Sequence, residues 1–197
     1  DRNLYFTSWW GGTVQKLPHE CRSMDCVQTL GYFAPYGPIG GPRGVAVDDS
    51  GNVYITTKVG GGNDQGRVSV IHPDGSFEDL VTGQPYSADL LSLGPDGCLY
   101  WGVPAAAQGL SGTPEIRRHC PGMTTYETVL QLTPWPDHAH AYSAYDVVVD
   151  ASGAMFWTTD GLGQLWMLDK SVSPEPILLL DYSPPVIGQT YYLMGLA

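Results

Sequence analysis

A chain of 197 residues is long enough to bury a sizeable core, and all-β units of this length commonly form one domain. Hydrophobic residues make up 43% and charged residues only 15%, with 25 Gly, 16 Pro and 12 Tyr; this suits short strands and tight turns better than long surface helices. The formal net charge of −11 repels phosphate backbones and argues against nucleic acid as a partner. No run reaches the roughly 18 to 20 apolar residues of a membrane span, the densest, PILLLDY, being broken by Asp181.

From the N-terminus, DRNLYFTSW (1–9), TVQKL (13–17) and CVQTLGYF (26–33) read as strands. GPRGVAVDDSGNVYITT (41–57) is a strand, a tight turn and a second strand, followed by GRVSVI (66–71) and FEDLV (77–81). The same order recurs twice. YSADLLSLGPDGCLYWG (86–102) is followed by PEIRRHC and YETVLQL, and SAYDVVVDASGAMFWTT (143–159) by GQLWML and EPILLLDY. The turns DDSG, GPDG and DASG place Asp, Ser or Pro early and Gly51, Gly97 or Gly153 late, where glycine takes positive φ. Each second strand then carries an aromatic at one place: Tyr54, Tyr100, Phe156 and, near the N-terminus, Tyr5.

The fourth copy is split. YLMGLA (192–197) has the pattern of a first strand and DRNLYF that of the second strand it lacks, with Ala197 matching Ala46 and Asp1 matching Ser50. Four strands per repeat is the arrangement of a propeller blade. The expected fold is therefore all-β, a β-propeller of about four four-stranded blades in one domain spanning 1–197. The blades are 192–197 plus 1–33, 41–83, 84–133 and 141–182, and the C-terminal strand completes the N-terminal blade, in cis or in trans with a neighbouring copy. A third reading makes the chain a segment of a larger propeller. With no initiator Met and no basic, apolar leader ahead of Asp1, the chain reads as a processed product or the ordered part of something longer.

GPRGVAVDDSGNVYIT followed by GRVSVIHPDGS resembles an NHL-type blade, and the repeats are similar to those of SMP-30, gluconolactonase and strictosidine-synthase-like propellers. The resemblance implies, in the enzyme relatives, a divalent metal, often Ca²⁺, on the propeller axis, held by Glu, Asn and Asp from the inner strands and polarising a carbonyl for lactone or ester hydrolysis. Only three Asn are present. Asn3 and Asn52 fall at turns and Asn63 in the loop GGGND, so the inner strands lack that ligand. Asp89 and Asp146 lie near inner-strand starts and are the weak metal candidates; with Arg43 they approach a channel mouth, against a bland reading of solvated rim residues. No catalytic or cofactor residue is assigned. His138 and His140 in PDHAH are spaced for one face of a strand, but flanking prolines make a loop the better reading. GGGND lacks the Lys and helix of a phosphate cradle, and there is no G-x-S-x-G elbow.

Four cysteines admit three pairings. CRSMDC suits a local Cys21–Cys26 bridge, while Cys98 opens one predicted strand and Cys120 closes the next, so antiparallel pairing brings them to disulfide distance. Two bridges imply an oxidising compartment and a secreted, extracellular protein; four free thiols in a cytosolic chain is the competing reading. Trp101 and Trp157 are expected in the core, and Trp9, Trp10 and Trp135, in loops, on a contact surface.

These features favour a non-enzymatic extracellular propeller that acts as a structural or binding module, with protein, glycan or further copies of itself as partners and no cofactor. Whether it is an enzyme stays open, with the balance against. The alternatives are an SMP-30/gluconolactonase-like metal-dependent lactonase, for which Ca²⁺ would be the cofactor, and a carbohydrate-binding propeller.

Overall fold

The structure, a computed structural model, describes residues 2–33, 41–58, 66–84, 90–103, 114–132, 144–159 and 163–182. Among these the fold is all-β apart from one 3-10 turn, Met24–Cys26. The chain divides into two compact units, Asp1–Ala88 and Asp89–Ala197.

The first unit holds two antiparallel sheets. β1 (Leu4–Ser8), β2 (Thr13–Leu17) and β3 (Gln28–Tyr32) form a three-stranded sheet in sequence order. β4 (Gly41–Val47), β5 (Val53–Lys58), β6 (Gly66–Ile71) and β7 (Phe77–Gln84) form a four-stranded one. The second unit repeats the four-stranded meander twice: β8 (Leu91–Leu93), β9 (Leu99–Val103), β10 (Glu115–His119) and β11 (Glu127–Gln131), then β12 (Ala144–Val149), β13 (Met155–Thr159), β14 (Gln164–Leu168) and β15 (Ile177–Asp181). The strands fall where alternation and turn chemistry place them.

The hairpin turns use the expected glycines. Gly51, Gly97 and Gly153 take φ of 84°, 77° and 88°, a region that side chains with a Cβ rarely adopt. Ahead of each an Asp carboxylate accepts from the backbone: Asp48 from Asn52 N at 2.8 Å, Asp96 from Cys98 N at 3.1 Å, and Asp150 from Ser152 N at 2.8 Å and Ala154 N at 3.0 Å. This is the side-chain satisfaction that makes Asp favourable in turns. The fourth copy lacks its first strand among the described residues; the expected partner, 192–197, lies outside them.

Each unit has its own core. In the first, Val14, Val53, Ile55 and Ile71 are buried, with Tyr5, Leu30 and Phe33 packed against them. In the second, Tyr100, Ile116, Val147, Met155, Trp157 and Leu168 pack together. Trp101 and Trp157 are 0% and 2% exposed, the core positions expected of them. Two disulfides staple the chain: Cys21–Cys26 closes the 3-10 turn, and Cys98–Cys120 joins the ends of β9 and β10, where Leu99 pairs with His119.

Within the second unit the sheets approach closely at a glycine. A Cβ on Gly102 would stand 1.9 Å from the carbonyl oxygen of Ala144, so only a residue without one lets β12 lie against β9. Gly102→Ala will therefore destabilise the second unit by at least the 1–3 kcal/mol or so of core overpacking, read as a drop in its thermal midpoint.

Candidate functional site

The heads of the inner strands are where a propeller presents side chains to ligands, and here two of them carry β-bulges. Pairing of β4 with β5 shifts between Pro42 and Val45, and pairing of β12 with β13 shifts between Ala144 and Val147. A bulge leaves residues outside the ladder and re-aims their side chains. The bulged pairs are Arg43 with Gly44, and Tyr145 with Asp146.

In the first unit the bulge builds a cation–aromatic stack. The Arg43 guanidinium lies over the Trp9 indole, 4.3 Å from the ring centroid, at a separation where the ring quadrupole attracts it. Two bonds hold the backbone beneath: the Thr7 hydroxyl donates to the Arg43 carbonyl at 2.8 Å, and Gly44 N donates to Thr56 Oγ1 at 2.8 Å. Gly41 starts β4 at φ 136°, and a Cβ there would sit 2.4 Å from the Trp9 carbonyl oxygen, so glycine sets how near the strand comes to the tryptophan. Trp10 lies 5.1 Å from Trp9, tilted by 38°, and is 76% exposed. Half-buried Trp9 is thus an anchored platform and Trp10 its exposed edge. Sequence reasoning expected both tryptophans on a contact surface and did not foresee that Arg43 stacks on Trp9.

In the second unit the corresponding bulge buries a carboxylate. Asp146 is 5% exposed, which corrects the expectation of a solvated rim residue: the bulge turns it inward instead of letting it alternate outward. Leu90 N donates to the Tyr145 carbonyl at 3.2 Å, tying the approach to β8 to β12. Thr158, at the repeat position of Thr56, has a buried hydroxyl with no hydrogen-bond partner among the described residues.

The axial Ca²⁺ site implied by the resemblance needs several oxygen donors converging from inner-strand starts. The described starts supply one carboxylate, Asp146, while β4 supplies the cation Arg43 and the second sheet's approach supplies Leu90. Among the described residues this is a single carboxylate donor, and Asp89 lies outside them. Asp96, Cys98 and Cys120 bring ligand-type atoms within 4.8 Å of one another, but both sulfurs are consumed by a disulfide.

Two polar networks that sequence did not reveal brace the sheets. Asp48 accepts from Asn52 Nδ2 at 2.7 Å and from the Tyr54 hydroxyl at 3.0 Å, and His72 Nδ1 meets Asn52 Oδ1 at 2.9 Å. Partial burial works against the Asp48 charge, yet the bonds from Asn52 and Tyr54 overcome it and its carboxyl lies below the ordinary carboxylate value. In β10, Arg117 is 3% exposed and pairs with Glu115, its Nε donating at 2.6 Å. Thr128 donates to the other carboxylate oxygen at 2.6 Å, and the guanidinium lies 4.2 Å from the Tyr126 ring centroid. A buried charge is tolerated in this way, paired and hydrogen-bonded.

A group with a depressed folded pKa contributes stability above its unfolded value and loses it as pH falls through the folded one. The Asp48 contribution is therefore complete above about pH 4 and fades below it. Asp48→Asn will melt lower at neutral pH and show a shallower loss of thermal midpoint between about pH 4 and pH 2; parallel acid titration slopes in the two proteins would contradict this.

Asp89, Trp135, His138, His140 and Asn63 lie outside the described residues. So does the loop GGGND.

No family model matches the chain, and no curated protein matches it. Solved structures do. A virginiamycin B lyase from Staphylococcus aureus superposes with a TM-score of 0.60 at 11% identity, over 93% of this chain and 54% of the lyase. A putative gluconolactonase superposes with a TM-score of 0.60 at 15% identity, over 95% of this chain and 61% of that one. The fold is that of a β-propeller. The four sheets are its blades. PorZ, a bacterial surface component of the type-IX secretion system of Porphyromonas gingivalis, is also similar, with a TM-score of 0.56 at 14% identity over 90% of this chain and 25% of PorZ. The propeller described here thus spans little more than half the length of the lyase it matches.

Proposed function

We propose that this propeller is an extracellular structural or binding module that associates with further copies of itself. The observation that carries the reading is the exposed apolar run in the outermost strand of the last blade: Leu178, Leu179 and Leu180 in β15 are 39%, 46% and 36% exposed, where monomeric proteins seldom expose contiguous apolar residues. Two disulfides, and no helix among the described residues long and apolar enough to cross a membrane, support secretion. The Trp9–Trp10–Arg43 surface suits a protein or glycan partner, because indole faces pack on sugar rings and peptide alike.

The native mass of the purified protein tests the reading. The module predicts species that are multiples of the 21.3 kDa chain and grow with concentration; a monomer at every concentration would overturn it.

A metal-dependent hydrolase remains the second reading, favoured by likeness to a lyase and a putative gluconolactonase and by buried Asp146. Stoichiometric Ca²⁺ in the purified protein, with turnover of a lactone abolished by Asp146→Asn, would carry it over the first.

A further inference from the structure

We infer that the exposed rings of Trp10 and Tyr32, at one end of the first sheet, form a stacking platform for the pyranose rings of a neutral glycan. The inference rests on the binding-module part of the reading above and names its ligand class; self-association is a separate claim.

Strand pairing brings the two rings to the same end of the sheet. Trp10 lies in the turn between β1 and β2; Ser8 at the end of β1 pairs with Thr13 at the start of β2, and Thr13 pairs with Tyr32 at the end of β3. Trp10 is 76% exposed and Tyr32 81%, whereas Trp101 and Trp157 are buried in the second unit. Large aromatics gathered in water at one place mark an interaction site, where single scattered ones would not.

The turn that carries Trp10 is pinned. Gly12 takes φ 62°, and its N–H donates to the Trp9 carbonyl at 3.4 Å. Phe33 N donates to the Gly12 carbonyl at 2.6 Å, which ties the turn to the residue after Tyr32. Gly11 N donates to Ser8 Oγ at 3.2 Å, and a Cβ on Gly11 would stand 2.7 Å from that oxygen. Neither glycine has a side chain to screen the Trp10 ring. Trp9, held under the Arg43 guanidinium, sets the neighbouring indole 5.1 Å away. A platform fixed before its ligand arrives loses little conformational freedom on binding.

Chemistry selects the ligand. A pyranose turns a face of C–H groups to an aromatic ring and keeps its hydroxyls in water, so stacking asks for exposed rings and little else. An extended peptide needs backbone partners, and the N–H groups of Gly11 and Gly12 are already engaged. A quaternary ammonium or a lysine, the other ligand of aromatic faces, is repelled by the Arg43 cation stacked on Trp9. A polyanion is opposed by the net charge of −11. A neutral sugar meets none of these obstacles.

The test titrates the full chain calorimetrically with soluble neutral hexasaccharides of glucose, mannose, xylose and N-acetylglucosamine, with polygalacturonate as the acidic control and a peptide array alongside. At least one neutral glycan is expected to bind at millimolar concentration or below, with an affinity that added salt leaves unchanged. Trp10→Ala is expected to weaken that binding about tenfold, Tyr32→Ala to weaken it less, and Trp10→Phe to retain most of it, all without a shift in thermal midpoint. Should an alanine variant fail to fold, tryptophan emission of the unmutated chain decides: a blue shift at saturating glycan supports the platform, and unchanged emission overturns it. The inference is also overturned if no neutral hexasaccharide binds, if polygalacturonate is preferred, if binding survives replacement of both rings, or if peptides are captured through Trp10 in place of glycan. Native mass keeps the two claims apart. A monomeric chain that binds glycan overturns self-association alone, and an assembling chain that binds none overturns this inference alone.

Discussion

Trp157→Ala will cost the second unit about 3–5 kcal/mol, the range for deleting a large buried aromatic. Trp157 sits in β13 at 2% exposure, within the cluster that includes Tyr100, Ile116, Val147 and Met155. Its ring stacks on Trp166 in the neighbouring strand, 6.4 Å between centroids and 11° between planes. Trp166 is itself fixed, its Nε1 donating to Gln164 Oε1 at 3.2 Å, so it does not collapse into the space that alanine leaves. The cavity therefore persists, and its cost adds to the lost transfer free energy. Urea unfolding followed by circular dichroism reads the difference. Trp10→Ala is the control: at 76% exposure it should change stability by no more than about 0.5 kcal/mol. Equal effects for the two would mean that the core assignment is wrong.

The second large effect belongs to the Cys98–Cys120 bridge. It joins residues 22 apart in sequence, against 5 for Cys21–Cys26. Cross-linking removes more disorder from the unfolded chain when the closed loop is longer, giving about 3 kcal/mol for the first bridge and about 2 kcal/mol for the second. Packing widens the gap, since Cys98 is 4% exposed inside the second unit's core and Cys21 and Cys26 lie near the surface. Double replacement of Cys98 and Cys120 by alanine should thus lower the urea midpoint well beyond replacement of Cys21 and Cys26. The reverse order would show that the local turn, not the long loop, limits the stability of the chain.

What sequence revealed was what depends on near neighbours. The turn Asp and Gly pairs, the alternating strands and the core placement of Trp101 and Trp157 are consequences of residues within one hairpin, and they stand in the structure where the pattern put them. Arg43 on Trp9 and Arg117 on Tyr126 were not legible, because each pairs a strand residue with one just outside another strand, whose approach depends on the fold. The burial of Asp146 was not legible either, because it sits in the bulge between Ala144 and Val147, where the regular ladder that lets a sequence pattern assign faces is broken. The expected completion of the first blade by 192–197 falls outside the described residues; the exposure of the β15 leucines was not anticipated, since period-2 patterns do not say which faces remain uncovered.

The bulges at the heads of β4 and β12 also bear on how such a chain diverges. Residues held outside the ladder donate nothing to pairing, so they can be exchanged while neighbouring strands keep their partners. One copy holds Arg43 and Gly44 in its bulge and another Tyr145 and Asp146, so the opposite charges stand at adjacent positions of the aligned repeat. A duplicated repeat therefore offers interchangeable sockets in an unchanging frame, and selection can install a new chemistry in one of them while the others go on doing what they did.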